Sequence, residues 1–436
     1  TNSVTLTVTV DAGENPVATY YFSMDGGRSY ETSTSPNYTF SELTPNTAYT
    51  FQVYAVDTEG YESNEETIEV TTDNYVNPVV NSVTATNVSN DSITVSVSAS
   101  AGTNAIQTYY YSINNGSYTS SSSNSYTFSG LSAGQSYSIK VYVRDTGGVD
   151  SNVYSINAET ENVVYLADVC NNGNNLASCI TSFYNSYGTD RTNIYYHTAE
   201  LENSTEDNSY RYAGANPNNY VCFGSTSSTC SNDNLYRIIG VFDGEVKLIK
   251  STSYGIYSWS GVSWGTTINT WSDNSLSTSI LNRTYLSSFG SIWRNLIATH
   301  SWKVGGMSFG YGLSMKQYFN YEVGANSSST TYSAKIGLLY VSDYGYAVGD
   351  STMWGTSLYG FKDLASNNWL YIGDNEWSIT RYTSNTTHAF YGSSTSFTGG
   401  DVSEEQIVRP AFYLSSSVQY SSGSGTSSDP IRLSVN

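Results

Sequence analysis

At 436 residues the chain is too long for a single hydrophobic core and suits three domains. Hydrophobic residues make up 38% and charged residues only 12%, with 41 tyrosines, a balance that excludes a disordered chain. The formal net charge of −20 makes phosphate backbones and anionic membrane surfaces poor partners.

The acidity is uneven. Residues 1–161 carry 3 basic residues (Arg28, Lys140 and Arg144) against 17 acidic ones. No apolar run reaches the length of a membrane helix, and no basic-then-apolar leader opens at Thr1. The segment therefore reads as a mature or trimmed ectodomain, with no membrane span of its own.

An internal repeat dominates the first part of the chain. ATYYFSMDGG (18–27) matches QTYYYSINNG (107–116), and NYTFSELTPNTAYTFQVYAVDTEG (37–60) matches SYTFSGLSAGQSYSIKVYVRDTGG (125–148). The offset is the size of one small β-sandwich. Short alternating segments are punctuated by turns such as Asp25-Gly26-Gly27 and Asn114-Asn115-Gly116. The predicted domains are 1–73, 79–161 and 162–436, with Pro78 stiffening the short linker between the first two. Leu43 to Ala55 and Leu131 to Val141 resemble the fibronectin type III family. The resemblance assigns Tyr49 and Tyr137 to the tyrosine corner, whose hydroxyl bonds back to upstream backbone. The early-strand tryptophan of that family is missing, and Tyr20–Phe22 and Tyr109–Tyr111 stand in its place. Asn-x-Ser/Thr triplets, at Asn87 and Asn282 among others, are too easily produced by this composition to mark glycosylation.

All four cysteines fall in the last domain, and their short gaps favour the local pairs Cys170–Cys179 and Cys222–Cys230 among three possible pairings. Disulfides imply an oxidising compartment. Asn174–Tyr187 reads as a helix with Leu176, Ile180 and Phe183 on one face. Thr198–Asn208 is polar and reads as a surface loop. Asp243-Gly244 then joins strands at Leu235–Phe242 and Glu245–Lys250 in a type I′ hairpin. A helix capped by Ser272 or Asp273 follows, carrying Leu276, Ile280, Leu281, Tyr285 and Leu286, and Ile292–Ala298 adds a short helical turn. Lys335–Val341 is a continuous apolar run, which predicts a buried strand followed by a loop at 342–347. Trp369–Ile372, Ser378–Tyr382 and Ala389–Tyr391 read as further strands, and Val408–Leu414 with Ile431–Val435 closes the domain.

YRYAGANPNNYVCFG (210–224), LYRIIGVFDGEVKLIK (235–250), KIGLLYVSDYGYA (335–347), NNWLY (367–371) and VRPAFYLSSSV (408–418) resemble a domain of uncharacterised function from surface proteins of Gram-positive and related gut bacteria. That resemblance implies an α+β, strand-rich fold of the C-type-lectin and formylglycine-generating-enzyme kind. The expected fold class is thus multidomain, two all-β immunoglobulin-like sandwiches followed by a lectin-like domain.

Catalysis is not expected. His197, His300 and His388 are far apart and lack a flanking nucleophile motif, and the cysteines do not match the reactive pair of the formylglycine-generating enzyme. Glu404-Glu405 and Asp374 with Glu376 would serve a glycosidase only if a cleft brought two carboxylates together. Asp233-Asn234 and Asp374-Asn375-Glu376 offer the carboxylate and amide oxygens that calcium takes, but neither has EF-hand spacing, and no cofactor is expected. Binding is the stronger expectation, because Trp354, Tyr359, Trp369, Tyr371, Trp377, Tyr382, Phe390 and Tyr391 crowd the last third beside small polar residues. Tyr371, Asp374, Asn375, Trp377, Arg381 and Tyr391 are the candidate ligand-binding set. Trp369 is assigned to the core, and Arg409 to a buried acid or carbonyl. The chain as a whole reads as an adhesin-like bacterial surface protein that binds glycan or protein. The alternative is a structural subunit of an extracellular filament that contacts neighbouring subunits.

Overall fold

The computed structural model describes residues 2–11, 13–198, 208–260, 270–308, 312–324, 327, 330–349, 351–355, 357, 367–393 and 396–435. The chain divides into two compact units, Thr1–Val163 and Val164–Asn436. Among the described residues no helix is long and apolar enough to cross a membrane.

The first unit contains two sandwiches with separate cores. In one, the strands Glu31–Ser33, Val17–Ser23, Ala48–Asp57 and Glu66–Thr71 form a four-stranded sheet in that order, while Val4–Thr7 pairs with Asn37–Phe40. In the other, Thr119–Ser121, Ile106–Ile113, Ser136–Asp145 and Tyr154–Glu159 make the four-stranded sheet, facing Ser125–Ser129, Ser92–Ser100 and Val79–Val88. Strand alternation sends Phe22, Phe40 and Phe51 into the first core and Ile93, Tyr111, Ile139 and Val141 into the second. Phe22 and Tyr111, at equivalent positions, take the place of the missing tryptophan. The tyrosine corners are present in both copies. Tyr49 Oη accepts from the Thr44 N–H at 2.9 Å, and Tyr137 Oη accepts from the Ser132 N–H at 2.8 Å.

The repeat also keeps polar clamps that its apolar pattern does not reveal. Thr72 and Thr160 each donate a hydroxyl proton at 2.6 Å, to Thr44 O and Ser132 O. Asp57 and Asp145 each accept two backbone N–H groups at 2.9 Å across the turn that follows them. The linker is tied to the second sandwich: Val76 and Thr103 exchange two hydrogen bonds of 2.8 Å, and Val80 N–H donates to Asn152 Oδ1 at 3.0 Å.

The second unit is built on the hairpin Leu235–Phe242/Glu245–Lys250, whose turn has Asp243 at φ 49° and Gly244 at φ 79°. Only residues tolerant of positive φ close such a turn without splaying the strands. The hairpin sits inside a seven-stranded sheet, flanked on one side by Tyr210–Tyr212 and Tyr220–Cys222 and on the other by Ala411–Tyr413 and Ile336–Gly337. Helix Leu176–Tyr187 packs on it, capped by Asn175 Oδ1 on the Ser178 N–H and buried through Leu176, Ile180 and Phe183. A second sheet runs Gly255–Ser258, Glu405–Val408, Glu376–Tyr382, His388–Gly392, Phe397–Asp401, with Gly306–Met307 parallel to its central strand. Both cysteine pairs are disulfides, with Cα–Cα separations of 5.4 and 5.8 Å.

Four local expectations change. Lys335–Val341 is buried but pairs as a strand only at Ile336–Gly337, and 342–347 is no loop, because Val341–Tyr346 forms a short helix. Carboxylates supply the missing backbone partners: Asp343 Oδ2 accepts the Tyr340 N–H at 2.9 Å, and Glu322 accepts those of Val341 and Ser342, each at 3.0 Å. Trp369–Ile372 is a turn anchored by an isolated bridge at Asn368. The helix after Trp271 is a π-helix, Leu276–Tyr285, and its leading N–H group is capped by Asn274, which accepts from Ser277 at 2.6 Å, instead of by Ser272 or Asp273. Of the predicted loop at 198–208, residues 199–207 lie outside those described, as does Tyr359.

Candidate functional site

Of the predicted ligand-binding set, Trp377 and Tyr391 are brought together, but Trp377 has no exposed surface. Trp377 is fully buried, with Nε1 donating to Tyr257 O at 3.0 Å and Tyr391 packed edge-on against it at 5.7 Å. A ring with no exposed face cannot stack on a ligand, so Trp377 belongs to the core. The error has a physical source: strand Glu376–Tyr382 is covered on both faces through Thr380, so its small polar neighbours do not mean exposure. Arg381 is held by Nε on Val304 O at 3.2 Å. Tyr371 is half-buried beside Tyr344, and Asp374 and Asn375 stand in the turn before Glu376, Asp374 Oδ1 accepting the Asn375 N–H at 2.9 Å. Trp354, Trp369 and Phe390 are likewise core residues, Trp369 Nε1 donating to Tyr212 O at 2.9 Å. Arg409 does meet a buried acid, reaching Glu376 Oε2 at 2.6 Å and Leu370 O at 2.5 Å.

Functional groups converge elsewhere, in a cleft of about 380 Å³ beside the turn end of the central hairpin. The hairpin contributes Phe242, Asp243 and Lys247; strand His300–Lys303 contributes His300, Ser301 and Lys303; Phe319, Val323, Tyr340, Ser342, Asp343 and Tyr413 complete the walls with Asn208 and Arg211. Its floor is charged and dry. Asp343 accepts from Arg211 Nη1 at 3.0 Å and from Lys247 Nζ at 2.5 Å. Burial pulls the Lys247 ammonium below its usual range, and the Asp343 carboxylate opposes that shift. Behind the floor, Glu322 is pushed up to about 7 by burial, against the pull of its bonds to Ser342 and the Thr380 hydroxyl.

The rim is different in kind. His300 stacks on Tyr413 with centroids 3.8 Å apart, and its Nδ1 lies 3.2 Å from Glu245 Oε2. Burial, with some help from Lys247, lowers its pKa to about 4, so at neutral pH it is an uncharged ring. Lys303 Nζ is tied to Val323 O at 3.0 Å and Ser327 Oγ at 3.1 Å. Ser301, Asp243 and Asn208 are exposed. An aromatic wall with a few fixed polar groups suits a polar ligand that has one apolar face.

The other two histidines lie apart from this cleft. His197 stacks on Trp354 and meets Tyr346 edge-on, and His388 bonds Thr387 Oγ1 at 2.7 Å. Among the described residues no three His, Cys, Asp or Glu side chains gather as a metal site would require. A reader of the sequence had one signal for the cleft: Arg211, Arg237 and Lys247 interrupt runs that are otherwise apolar or aromatic. A cation inside a buried strand needs a partner. Arg237 finds Asn219 Oδ1 at 2.7 Å and Pro217 O at 3.0 Å, and lies between the rings of Tyr220 and Trp369.

No protein-family model and no curated protein sequence matches the chain. Among solved structures, it is similar to the fibronectin(III)-like modules of CbhA from Clostridium thermocellum, at 18% identity over 37% of this chain and 86% of that one, with a TM-score of 0.19. It is also similar to a two-domain fibronectin type III segment of chicken tenascin, at 16% identity over 36% of this chain and 93% of the other, with a TM-score of 0.19. Strand order and the two tyrosine corners are what make the first unit a pair of fibronectin type III-like sandwiches, modules common in extracellular and surface proteins.

Proposed function

We propose that this chain is an extracellular bacterial surface protein whose second unit, a lectin-like domain, binds a glycan or a peptide in the cleft beside the central hairpin. The observation that carries the reading is the half-buried ring of Phe242 set beside exposed polar groups at Ser301, Asp243 and Asn208, above a rigid charged floor. Two disulfides support an oxidising, extracellular location. A filament subunit is the second reading, and a repeated surface favours it. Tyr21, Tyr54 and Tyr30 cluster outside the first sandwich core, and Tyr110, Tyr142 and Tyr118 do the same outside the second, each with a stacked pair at 4.6 Å.

The test is to probe glycan and peptide arrays with the intact chain and with Ser301→Trp, which fills the cleft from an exposed position. The variant should keep its melting temperature and lose roughly tenfold or more in affinity. Equal binding by the two proteins would remove the cleft from the account. Ordered fibres formed by the wild type without ligand would favour the second reading.

A further inference from the structure

Lys247 and Asp343 meet under unusual conditions. Their side chains are 1% and 2% exposed, and Nζ lies 2.5 Å from Oδ2. Aromatic rings surround the amine: Tyr340 at 4.6 Å, Trp302 and Tyr413 at 5.4 Å, and Phe242 at 5.6 Å from its nitrogen. The other oxygen of the carboxylate, Oδ1, accepts from Arg211 Nη1 at 3.0 Å, and Oδ2 also accepts the Tyr340 N–H at 2.9 Å. Glu322, fully buried, accepts the N–H groups of Val341 and Ser342, the two residues that precede Asp343.

An ion pair so far from water keeps a desolvation cost that Coulomb attraction only partly offsets. Condensation to an amide removes both charges at once. We propose that Lys247 and Asp343 condense to an intramolecular isopeptide bond, joining the second strand of the central hairpin to the short helix Val341–Tyr346. The step balances without any co-reactant. The lysine nitrogen forms a bond to Asp343 Cγ, the bond from Cγ to Oδ2 breaks, and the two protons leaving the ammonium depart with that oxygen as water.

Each neighbour has a part in this chemistry. The amine must be neutral to attack, and its apolar cage favours the neutral form. Arg211 sits on the oxygen that stays, where it polarises the carbonyl and stabilises charge developing on it. Glu322 is a positioning residue: it accepts the N–H groups of Val341 and Ser342 and so fixes the backbone that leads into Asp343. Two groups fixed in contact reach effective concentrations of about 10⁵ M or more, which is how amide formation becomes accessible without an activating reagent. Three other lysines of the same unit are bonded differently: Lys250 donates to the backbone carbonyl of Asp233, Lys335 to that of Arg294, and Lys303 to that of Val323 and to Ser327 Oγ, so none of these bonds is to a carboxylate. Arg409 faces Glu376, but a guanidinium is always charged and is no nucleophile. The bond does not depend on the binding role of the cleft.

Mass spectrometry of the intact, reduced and denatured chain decides the matter. The wild type should be lighter than its sequence by the mass of one water. A tryptic digest should contain a branched peptide joining the Lys247 and Asp343 segments, uncut at Lys247. Lys247→Arg and Asp343→Ala should each restore the full sequence mass, and Glu322→Gln should retain the uncondensed mass. A wild-type chain at full mass overturns the proposal, whatever the variants do. So does a water loss that survives in Lys247→Arg, and condensation in Glu322→Gln overturns the part given to Glu322.

Discussion

Two rings separated by only a few residues in sequence show how side-chain surroundings decide function. Trp377 has no exposed surface and one hydrogen bond to backbone, whereas Tyr371 is half-buried at a turn. Trp377→Ala should therefore cost about 3–5 kcal/mol of stability, the range for emptying a large aromatic site. Tyr371→Ala should cost far less, and chemical denaturation of both variants checks the contrast. His300 gives a pH dependence with a definite sign. Its folded pKa is lowered from 6.5 to about 4, so the stability it contributes is present above pH 6.5 and is lost as pH falls towards 4. Because the ring keeps some solvent contact, the loss is roughly 2 kcal/mol or less. Urea unfolding of the wild type and His300→Gln at neutral pH and near pH 4.5 should show the difference between them shrinking with acidification.

At the level of elements, the legible features were those fixed by short-range chemistry. Asp243-Gly244 demanded a tight turn, and the hairpin strands have the predicted ends. The apolar spacing of Leu176, Ile180 and Phe183 marked a real helix, and the repeat exposed both tyrosine corners. What the sequence concealed depends on distant partners. The helix Val341–Tyr346 forms where the sequence predicts a loop because Glu322, some twenty positions upstream, accepts the N–H groups at its start. Strand Glu376–Tyr382, whose Trp377 and Arg381 are expected from sequence to meet a ligand, is buried from Glu376 through Thr380, with Trp377 Nε1 bonded to Tyr257 O, 120 positions upstream. The tyrosine corner makes its own prediction. Tyr137→Phe removes the acceptor for the Ser132 N–H and should cost the second sandwich about 1 kcal/mol, with Tyr49→Phe doing the same in the first. Unchanged denaturation midpoints would mean that water replaces those hydroxyls without loss.

On the scale of the whole molecule, the acidity of residues 1–161 and the placement of all four cysteines in Val164–Asn436 separate two kinds of construction. The sandwiches rely on repeated backbone clamps and small cores. The second unit relies on one large core, two disulfides and buried polar pairs: Lys247 with Asp343 and Arg409 with Glu376. Composition did not locate the cleft, because Arg211, Lys247, His300 and Asp343 are brought together from four distant stretches of chain. The most direct measurement is a hydrogen-exchange footprint of the intact chain with and without a glycan or peptide selected from the arrays. The account predicts added protection at 240–247, 300–303 and 340–343, with none at 367–391; protection confined to 367–391 would contradict it.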